Sequence, residues 1–230
     1  MNTLCFVDGY NLYYGALQGS PDKWLDLPAL LAHILRVQSP DCRLCGVNYY
    51  TSPVIARLAS RGQKSNDSQS RYIRALEARG VTVTLGKHRL AAGRAPRYIE
   101  GQKADRQEQV RIWQLEEKQT DVNLALGMYR AACRAHLVEP QIEQIVVVSA
   151  DTDLAPALKL IRADFPALRL GVILPHRGTA QHHQREAPGD LKEACDWMRR
   201  YLNDDELAAH HLPERIPLKR KPALQKPDYW

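Results

Sequence analysis

The sequence lacks any apolar run that approaches the roughly 18 residues needed to cross a membrane as a helix. It also lacks a basic leader followed by a small-residue cleavage site, because Met1-Asn2-Thr3 leads directly into an apolar segment. A secreted or membrane-anchored protein is therefore not indicated. We expect a cytoplasmic protein without membrane contact.

The sequence has few cysteines, and their number, five, is odd. A disulfide-stapled secreted domain normally has an even number of cysteines in a much shorter chain, so we expect reduced thiols. Cys42 and Cys45 have the spacing of half a zinc site or of a redox motif. Because no second pair with ligand spacing follows, the sequence favours an incidental pair.

The chain has 230 residues and 44% hydrophobic content, which is enough for one sizeable core. We expect one domain over residues 1–202. Residues 203–230 are proline-rich and polar, and residues 215–226 within them carry five basic residues without an acid. We interpret residues 203–230 as a proline-rich basic tail that is solubilising or poorly ordered, with a segment that binds nucleic acid as the alternative.

Short apolar runs alternate with segments of helical periodicity along the chain. The predicted strands are 3–7, 44–50, 81–85, 145–148 and 169–174, and the predicted helices are 27–37, 68–79, 121–135, 154–163 and 189–202. We predict that Asp26 and Thr120 cap the helices that follow them and that residues 87–102 form an exposed loop or a short hairpin. Alternation of this kind predicts an α/β fold, a three-layer αβα arrangement with a mainly parallel sheet and a basic insertion.

Aspartates follow two of the predicted strands. Asp8 comes directly after the first strand, Asp151 and Asp153 follow 145–148, and Asp121 opens a predicted helix. Because ligands gather beyond the carboxyl ends of parallel strands, we expect these acids to converge in one crevice. Each acid taken singly is also explained as a helix cap or a turn residue, so the hypothesis depends on their convergence.

Crowded carboxylates repel one another, which would raise their pKa values in a protein without bound metal. A hard divalent cation such as Mg²⁺ or Mn²⁺ relieves that repulsion and prefers oxygen ligands. We interpret Asp8 and Asp151 as the principal ligands, with Asp121 and Asp153 completing the site and Asn11 orienting a water or a phosphate. An ion held in this way assists hydrolysis of a phosphodiester.

Three segments resemble the signature blocks of the NYN domain, a member of the PIN-like nuclease superfamily, and the similarity is greatest to its LabA-like bacterial branch. The segments are Phe6-Val7-Asp8-Gly9-Tyr10-Asn11-Leu12, Glu117-Lys118-Gln119-Thr120-Asp121-Val122 and Val147-Val148-Ser149-Ala150-Asp151-Thr152-Asp153-Leu154. The resemblance covers about residues 1–202.

The resemblance implies a metal-dependent ribonuclease that acts on RNA. It implies metal ligation by Asp8, Asp121, Asp151 and Asp153, with catalytic roles for these acids and Asn11. It also places Ser149 and Lys118 at the substrate. Two departures bear on the backbone path near the acids, since Gln119 and Ala150 stand where the family usually has glycine.

Positive charge is concentrated in one stretch. Residues 55–120 contain fourteen Lys or Arg and seven Asp or Glu, whereas the whole chain carries a net charge of +6. We expect an RNA groove along this stretch, with Lys87 and Arg89 as the first candidates to bind substrate; a solvated basic face is the alternative. Further candidates for this groove in the same stretch are Arg71, Arg74, Arg94, Arg97 and Lys103.

Three tyrosines, Tyr10, Tyr13 and Tyr14, lie beside the first acid. An exposed ring at this position would stack on a base, whereas a buried ring would pack in the core, and the sequence leaves both open.

Two rival functions remain at the level of sequence. An aspartate-nucleophile phosphatase of the haloacid-dehalogenase type is suggested by Asp151-Thr152-Asp153, but such enzymes carry this pair near the N-terminal strand. The other rival is a scaffold of the same fold that binds RNA or protein without turnover. The sequence leaves open whether the chain forms a homo-oligomer.

Overall fold

The centre of the molecule is a six-stranded parallel sheet with the strand order β3-β2-β1-β6-β7-β8. The structure is a computed structural model, and it describes residues 1–138, 141–178, 187–218 and 221–230. The strands of this sheet are β1 (Asn2–Asp8), β2 (Arg43–Thr51), β3 (Thr82–Leu85), β6 (Gln144–Val148), β7 (Arg169–Ile173) and β8 (Trp197–Arg199).

Helices cover both faces of the sheet. They are α1 (Gly9–Leu12), α2 (Leu27–Gln38), α3 (Gln63–Ala78), α4 (Thr120–Arg134), α5 (Ala155–Asp164), α6 (Gly189–Ala194) and α7 (Asp204–Ala209). A π-helical turn, Tyr13–Leu17, extends α1, and a short 3₁₀ turn, Thr152–Leu154, precedes α5. None of the described helices combines the length and apolar character that a membrane-spanning helix needs.

Alternation along the buried strands divides the core into two layers. Cys5 and Val7 of β1 face the core that contains α2 and α3, whereas Phe6 faces the core of α4 and α5. Because successive strand residues point to opposite faces, both sides of β1 and β6 are apolar, as a fully covered parallel sheet requires. The predicted three-layer αβα fold is confirmed.

An antiparallel hairpin stands outside the main sheet. Its strands, β4 (Lys87–Pro96) and β5 (Gln109–Lys118), pair with each other along their whole length. The predicted insertion is therefore a hairpin, and it extends well beyond residue 102. We call β4 and β5 together the arm.

The structure corrects the predicted helix over residues 189–202. Helix α6 ends at Ala194, and residues Trp197–Arg199 form the edge strand β8. The Asp196 carboxylate accepts a hydrogen bond from the backbone N–H of Leu170, and the Trp197 ring fills the space beside Gly171. These contacts with β7 hold the segment extended and override its helical periodicity.

The structure also corrects the interpretation of residues 203–230 as a solubilising or poorly ordered tail. The described part of this segment contains α7 and a second hairpin, β9 (Arg215–Leu218) with β10 (Lys221–Gln225). Leu207, Leu212, Ile216 and Leu224 are buried in the same core as α2 and α3. We call residues 203–230 the C-terminal segment; the proposed domain boundary at residue 202 stays a prediction.

Contacts with the N-terminal half fix the C-terminal segment. Trp24 Nε1 donates to the carbonyl oxygen of Pro213 at 2.9 Å, and His211 Nε2 lies 2.8 Å from Asp22 Oδ1. The Trp230 ring packs edge-on against Trp24 and Tyr72. The apolar residues of this segment are therefore part of the main core.

Helix α4 begins differently from the sequence prediction. Its N-cap is Gln119, whose φ of 77° is the one positive φ of a non-glycine residue in the described ranges. Thr120 is the first helical residue, and its hydroxyl donates to Glu117 Oε1 at 2.6 Å. Gln119 thus makes, at some backbone cost, the left-handed turn that glycine makes freely.

Candidate acidic site at the edge of the sheet

The neighbouring parallel strands β1 and β6 end at the same edge of the sheet. Val7 pairs with Val148, so the next residues, Asp8 and Ser149, lie side by side. The Ser149 hydroxyl donates to Asp8 Oδ2 at 3.0 Å, and both side chains are buried. This edge is where the sequence predicts the acids to converge.

Three donors hold the Asp8 carboxylate. The backbone N–H of Asn11 donates to Oδ1 at 3.0 Å, while the Asn11 amide and the Ser149 hydroxyl donate to Oδ2 at 2.7 and 3.0 Å. Burial raises the pKa of Asp8, these hydrogen bonds lower it in part, and the charge of Glu117 raises it further, for a net upward shift. Asp8 is a pre-positioned and energetically costly carboxylate.

Asn11 and Ser149 also orient the loop that carries the second acid. The backbone N–H of Ala150 donates to Asn11 Oδ1 at 3.2 Å, and that of Asp151 donates to the Ser149 hydroxyl at 3.0 Å. Asp151 is half-buried and caps the 3₁₀ turn, because its Oδ1 accepts from the N–H of Asp153 at 2.9 Å. The Asp153 side chain is exposed. Asp8 and Asp151 thus cap the turns that follow them, as the sequence allowed, and they also lie at the same edge of the sheet.

Asp121 comes to the same edge from the start of α4, which packs against β1, β2 and β3. Its pKa is raised to about 6, first by partial desolvation and then by the charges of Asp8, Asp151, Glu117 and Asp153. The expected rise in pKa from crowded carboxylates is therefore present at Asp121. The four predicted acids belong to one electrostatic cluster.

A fifth acid, Glu117, lies at this cluster and was missed as a site residue. Its charge acts on both Asp8 and Asp121, and its Oε1 accepts from the Thr120 hydroxyl, which lies 3.0 Å from the Ser52 hydroxyl. Glu117 stands within the second signature block, next to Lys118. Its local sequence pattern gives no signal for this role, because its placement depends on the pairing of β5 with β4.

The fit of a divalent cation can be tested from the donor set. Within residues 1–138, 141–178, 187–218 and 221–230, no three His, Cys, Asp or Glu side chains already form a coordination group. The oxygens gathered here, from carboxylates, an amide and a hydroxyl, are nonetheless those a hard cation prefers. In the same ranges none of the five acids forms an ion pair with Lys, Arg or His, so their charge is uncompensated, which favours a cation. The donor set therefore fits by its chemistry.

The predicted basic substrate residues lie on one face of the arm. Lys87 pairs with Lys118 and Arg89 with Glu116, so these four side chains share a face, whereas the neighbouring pair of His88 and Glu117 occupies the other. Lys118 Nζ forms an ion pair with Glu116 at 3.0 Å. Lys87, Arg89 and Lys118 are thus close to the site along the chain but on the face opposite Glu117, and their role stays a prediction.

A cavity of about 990 Å³ opens beside the acids, and Asn11 and Glu117 form part of its wall. Its lining includes seven tyrosine and tryptophan rings, those of Tyr10, Tyr13, Tyr14, Tyr49, Tyr72, Tyr229 and Trp230. Tyr14 is exposed, Tyr10 and Tyr13 are half-buried, and Tyr49 and Tyr72 are buried. Of the three tyrosines near Asp8, Tyr14 is thus accessible, whereas Tyr10 and Tyr13 are partly packed, and stacking on a base stays a prediction.

Three comparisons with known proteins bear on this site. The NYN domain family model matches residues 2–199. The 6-hydroxy-3-succinoylpyridine 3-monooxygenase HspA of Pseudomonas putida is 34% identical over 254 residues, which cover 100% of this chain and 75% of that protein. A crystal structure of a Vibrio parahaemolyticus protein of unknown function aligns with a TM-score of 0.50 at 14% identity, covering 92% of this chain and 96% of the other, and supports the fold alone. The family match and the identity along the whole chain confirm the resemblance seen in the three signature blocks, and the chain belongs to the NYN domain family.

Proposed function

We propose that this protein is a ribonuclease that hydrolyses phosphodiester bonds of RNA with Mg²⁺ or Mn²⁺ at the acidic cluster. The observation that carries the proposal is the gathering of the acids where β1 and β6 end. At this edge partial desolvation first, and then the charges of the neighbouring acids, raise the pKa of Asp121 to about 6. Carboxylates held together without a compensating cation are unfavourable, so their assembly makes physical sense at an ion-binding site. The nuclease-like character of the NYN domain family supports the same reading.

Each acid has a distinct part in this proposal. Asp8, fixed by its three donors, is the rigid reference point, and Asp121, Asp151 and Glu117 present the carboxylates that hold the cation with it. Asp153 is exposed and acts from the periphery. Asn11 and Ser149 position Asp8 and the 150–151 backbone, so they act on the site through their neighbours. A bound divalent cation supplies the charge that activates water and stabilises the phosphate oxygens.

The direct test uses labelled single-stranded RNA with Mg²⁺, Mn²⁺ or EDTA. We expect cleavage only with the divalent ion, and we expect Asp8→Asn and Asp151→Asn each to lower the rate by at least about a hundredfold. Glu77→Gln is the control, because Glu77 is an exposed acid in the last turn of α3, at the opposite edge of the sheet. Salt-sensitive RNA binding without any cleavage would instead support a scaffold of the same fold.

A second candidate function follows from one specific observation, the 34% identity with a hydroxypyridine monooxygenase along the whole chain. The aromatic cavity beside the acids is of a kind that suits a small heteroaromatic compound. The test is oxygen consumption by the protein with 6-hydroxy-3-succinoylpyridine and a nicotinamide reductant. Consumption that requires the pyridine, together with no RNA cleavage, would favour this candidate over the nuclease.

A further inference from the structure

The aromatic cavity is partly pre-organised, because the hydroxyl groups of three of its tyrosines are hydrogen-bonded to backbone carbonyl oxygens. Tyr10 Oη donates to the carbonyl oxygen of Ser52, Tyr72 Oη to that of Leu25, and Tyr229 Oη to that of Lys64, each at 3.0 Å. These bonds fix the ring planes while leaving the ring faces and edges to line the space. A wall of this kind offers apolar contact and π-faces, which suit a planar partner.

The rings also support one another around the cavity mouth. Tyr10 stacks on Tyr14 with a centroid distance of 5.8 Å and an interplanar angle of 15°, and His88 of the arm meets Tyr10 edge-on at 5.4 Å. Tyr14 nevertheless remains 61% exposed, so most of this ring is available to a ligand. Tyr10 and Tyr14 line the same cavity as Asn11 and Glu117, so the available ring shares one space with these residues of the acidic site.

The last two residues of the chain complete the far wall. Tyr229 and Trp230 both line the cavity, and the Arg61 guanidinium lies 4.4 Å from the centroid of the Tyr229 ring. Trp230 packs edge-on against Tyr72 at a centroid distance of 5.7 Å. Because the family match ends at residue 199, this wall is a feature of this chain outside the matched domain.

We propose that the aromatic cavity binds a planar heteroaromatic ring and holds it beside the acidic cluster, with Tyr14 at the mouth and Trp230 at the far wall. The ring is either a nucleobase of RNA or a free hydroxypyridine, since both present the same flat π-surface to stacking. The cavity is large for one ring alone, and its continuity with Asn11 and Glu117 leaves room for the part of the substrate that reaches the acids.

This inference deepens the proposed function, because it names the part of the substrate that the site recognises. It is testable without turnover, so failure of one does not imply failure of the other. Binding of adenosine, uridine and 6-hydroxy-3-succinoylpyridine is measured calorimetrically in EDTA, with ribose and succinate as probes that lack the ring. We expect at least one ring compound to bind and both ringless probes to bind at least about tenfold more weakly.

Two variants test whether the bound ring occupies this cavity. Tyr14→Ala removes an exposed ring and is expected to weaken binding about tenfold. Ser65→Trp fills the cavity from α3, where Ser65 is half-buried and lines the space, and is expected to abolish binding. Tyr98→Ala is the matched control, because Tyr98 is an exposed tyrosine outside the cavity lining, and it should leave affinity unchanged. Circular dichroism checks that each variant is folded.

The outcomes separate the two sources of the ring. Tighter binding of a nucleoside supports a base of RNA, and tighter binding of the pyridine supports a small-molecule substrate. The proposal is overturned if ring compounds bind no better than ribose and succinate, or if folded Tyr14→Ala and Ser65→Trp both bind like wild type. Retained ring binding in Asp8→Asn, together with lost RNA cleavage, would support the ring site and the acid site separately.

Discussion

Asp8 shows how a buried carboxylate is made tolerable at the scale of a single residue. Its two oxygens share three donors, which come from the first turn after β1 and from the end of β6. Hydrogen bonds to the ionised form offset part of the desolvation cost, and the remaining cost appears as a raised pKa. The position of this acid is therefore fixed before any ligand arrives.

Asp121 gives a prediction about pH dependence in the metal-free protein. Its pKa is raised to about 6 in the folded state from an ordinary 3.8, so between these values the folded protein binds a proton that the unfolded protein does not. The contribution of Asp121 to stability therefore grows as pH falls from about 7 towards 4. Asp121→Asn removes this contribution, so the free energy of unfolding should depend less on pH across this range, as measured by urea denaturation in EDTA.

The same residue links stability to divalent ions. An ion that binds only the folded protein stabilises it in proportion to the logarithm of its concentration. We expect Mn²⁺ to raise the Tm of the wild type at pH 7.5 and to have a smaller effect on Asp121→Asn, with Glu77→Gln behaving as wild type. An equal rise in Tm for Asp121→Asn would count against ion binding at the cluster.

The site residues that follow the buried strands β1 and β6 could be predicted from the sequence, whereas Glu117 could not. Asp8, Ser149 and Asp151 follow apolar runs whose strand character is plain, and parallel strands end at a common edge. Glu117 precedes a helix at the end of a polar strand, and nothing in its local pattern tells which face of the arm it occupies. Its position depends on the pairing of β4 with β5, which is a tertiary fact.

At the scale of elements, the turn between the arm and α4 carries strain at Gln119. A left-handed φ costs a non-glycine residue roughly 1–2 kcal/mol. Substitution by glycine removes this steric cost, but only part of it appears as stability, because glycine also makes the unfolded chain more flexible. We expect Gln119→Gly to raise the free energy of unfolding by about 0.5–1 kcal/mol. Gln119→Val should lower it, since a β-branched residue tolerates this φ poorly.

Gln114→Gly is the matched control for this prediction. Gln114 lies within β5 in extended conformation, where glycine is expected to destabilise by about 0.5–1 kcal/mol. Thermal or urea denaturation of Gln119→Gly, Gln119→Val and Gln114→Gly measures whether each substitution raises or lowers the free energy of unfolding. Destabilisation by glycine at both positions would show that the turn is not strained.

The paired arginines on one face of the arm indicate a path for RNA. Arg94 and Arg111 are directly paired on the face that also carries His88 and Glu117, and in the described ranges neither forms an ion pair. Like charges opposite each other on a hairpin are unfavourable unless an anion lies across them. We expect Arg94→Gln with Arg111→Gln to weaken RNA binding and to lower the slope of log K against log salt by roughly 0.7 per lost phosphate contact.

Lys87→Gln with Arg89→Gln is the comparison for the arm, because these two residues lie on its other face. A smaller change in slope for this pair would place the RNA on the Glu117 face. A larger change would restore the sequence-based assignment of Lys87 and Arg89 and contradict the path proposed here. Salt titration of RNA binding by fluorescence anisotropy measures both.

Regular alternation made most elements predictable, and competition between local and tertiary preference produced the errors. The strands of the main sheet and the longer helices up to residue 174 follow from apolar periodicity, which the buried parallel sheet enforces, whereas the polar strand β5 was not predicted. Residues 195–199 continue a helical pattern, yet the edge of the sheet next to β7 offers backbone partners that a helix cannot reach. No local signal reports the presence of that open edge.

At the scale of the whole molecule, the C-terminal segment is expected to be required for stability. It buries Leu207, Leu212, Ile216 and Leu224, and each such side chain contributes about 1.5–3 kcal/mol on burial. Their sum is comparable to the stability of a typical domain. We therefore expect a chain truncated after Leu202 to be largely unfolded or aggregated, although the family match ends at residue 199.

Point substitutions keep this prediction quantitative if the truncated chain cannot be purified. Leu207→Ala should lower the free energy of unfolding by about 2–5 kcal/mol, as expected for a buried leucine, whereas Leu137→Ala, at an exposed position, should have little effect. Urea denaturation and limited proteolysis report both. Wild-type stability of the truncated chain would refute a structural role for the segment.

The segment was interpreted as a tail because its prolines and the basic run over residues 215–226 stand out in the sequence. The average composition of a segment does not show which of its side chains are buried. Four buried apolar side chains are enough to attach this segment to the main core. The surface that receives them, formed by α2, α3 and the start of the chain, exists only in the folded molecule.

The pairing of Asp8 with Ser149 across 141 positions of the chain has a consequence for biosynthesis. Strand β1 is central in the sheet, but its neighbour β6 is synthesised only after the intervening residues 9–143. Pairings between such distant segments form slowly, because the chain loses the entropy of closing a long loop before any contact stabilises the pairing. The acidic cluster cannot assemble on a nascent chain until residue 151 has emerged, and the cavity wall is incomplete until Trp230 has emerged, so the acids can come together before the cavity is complete.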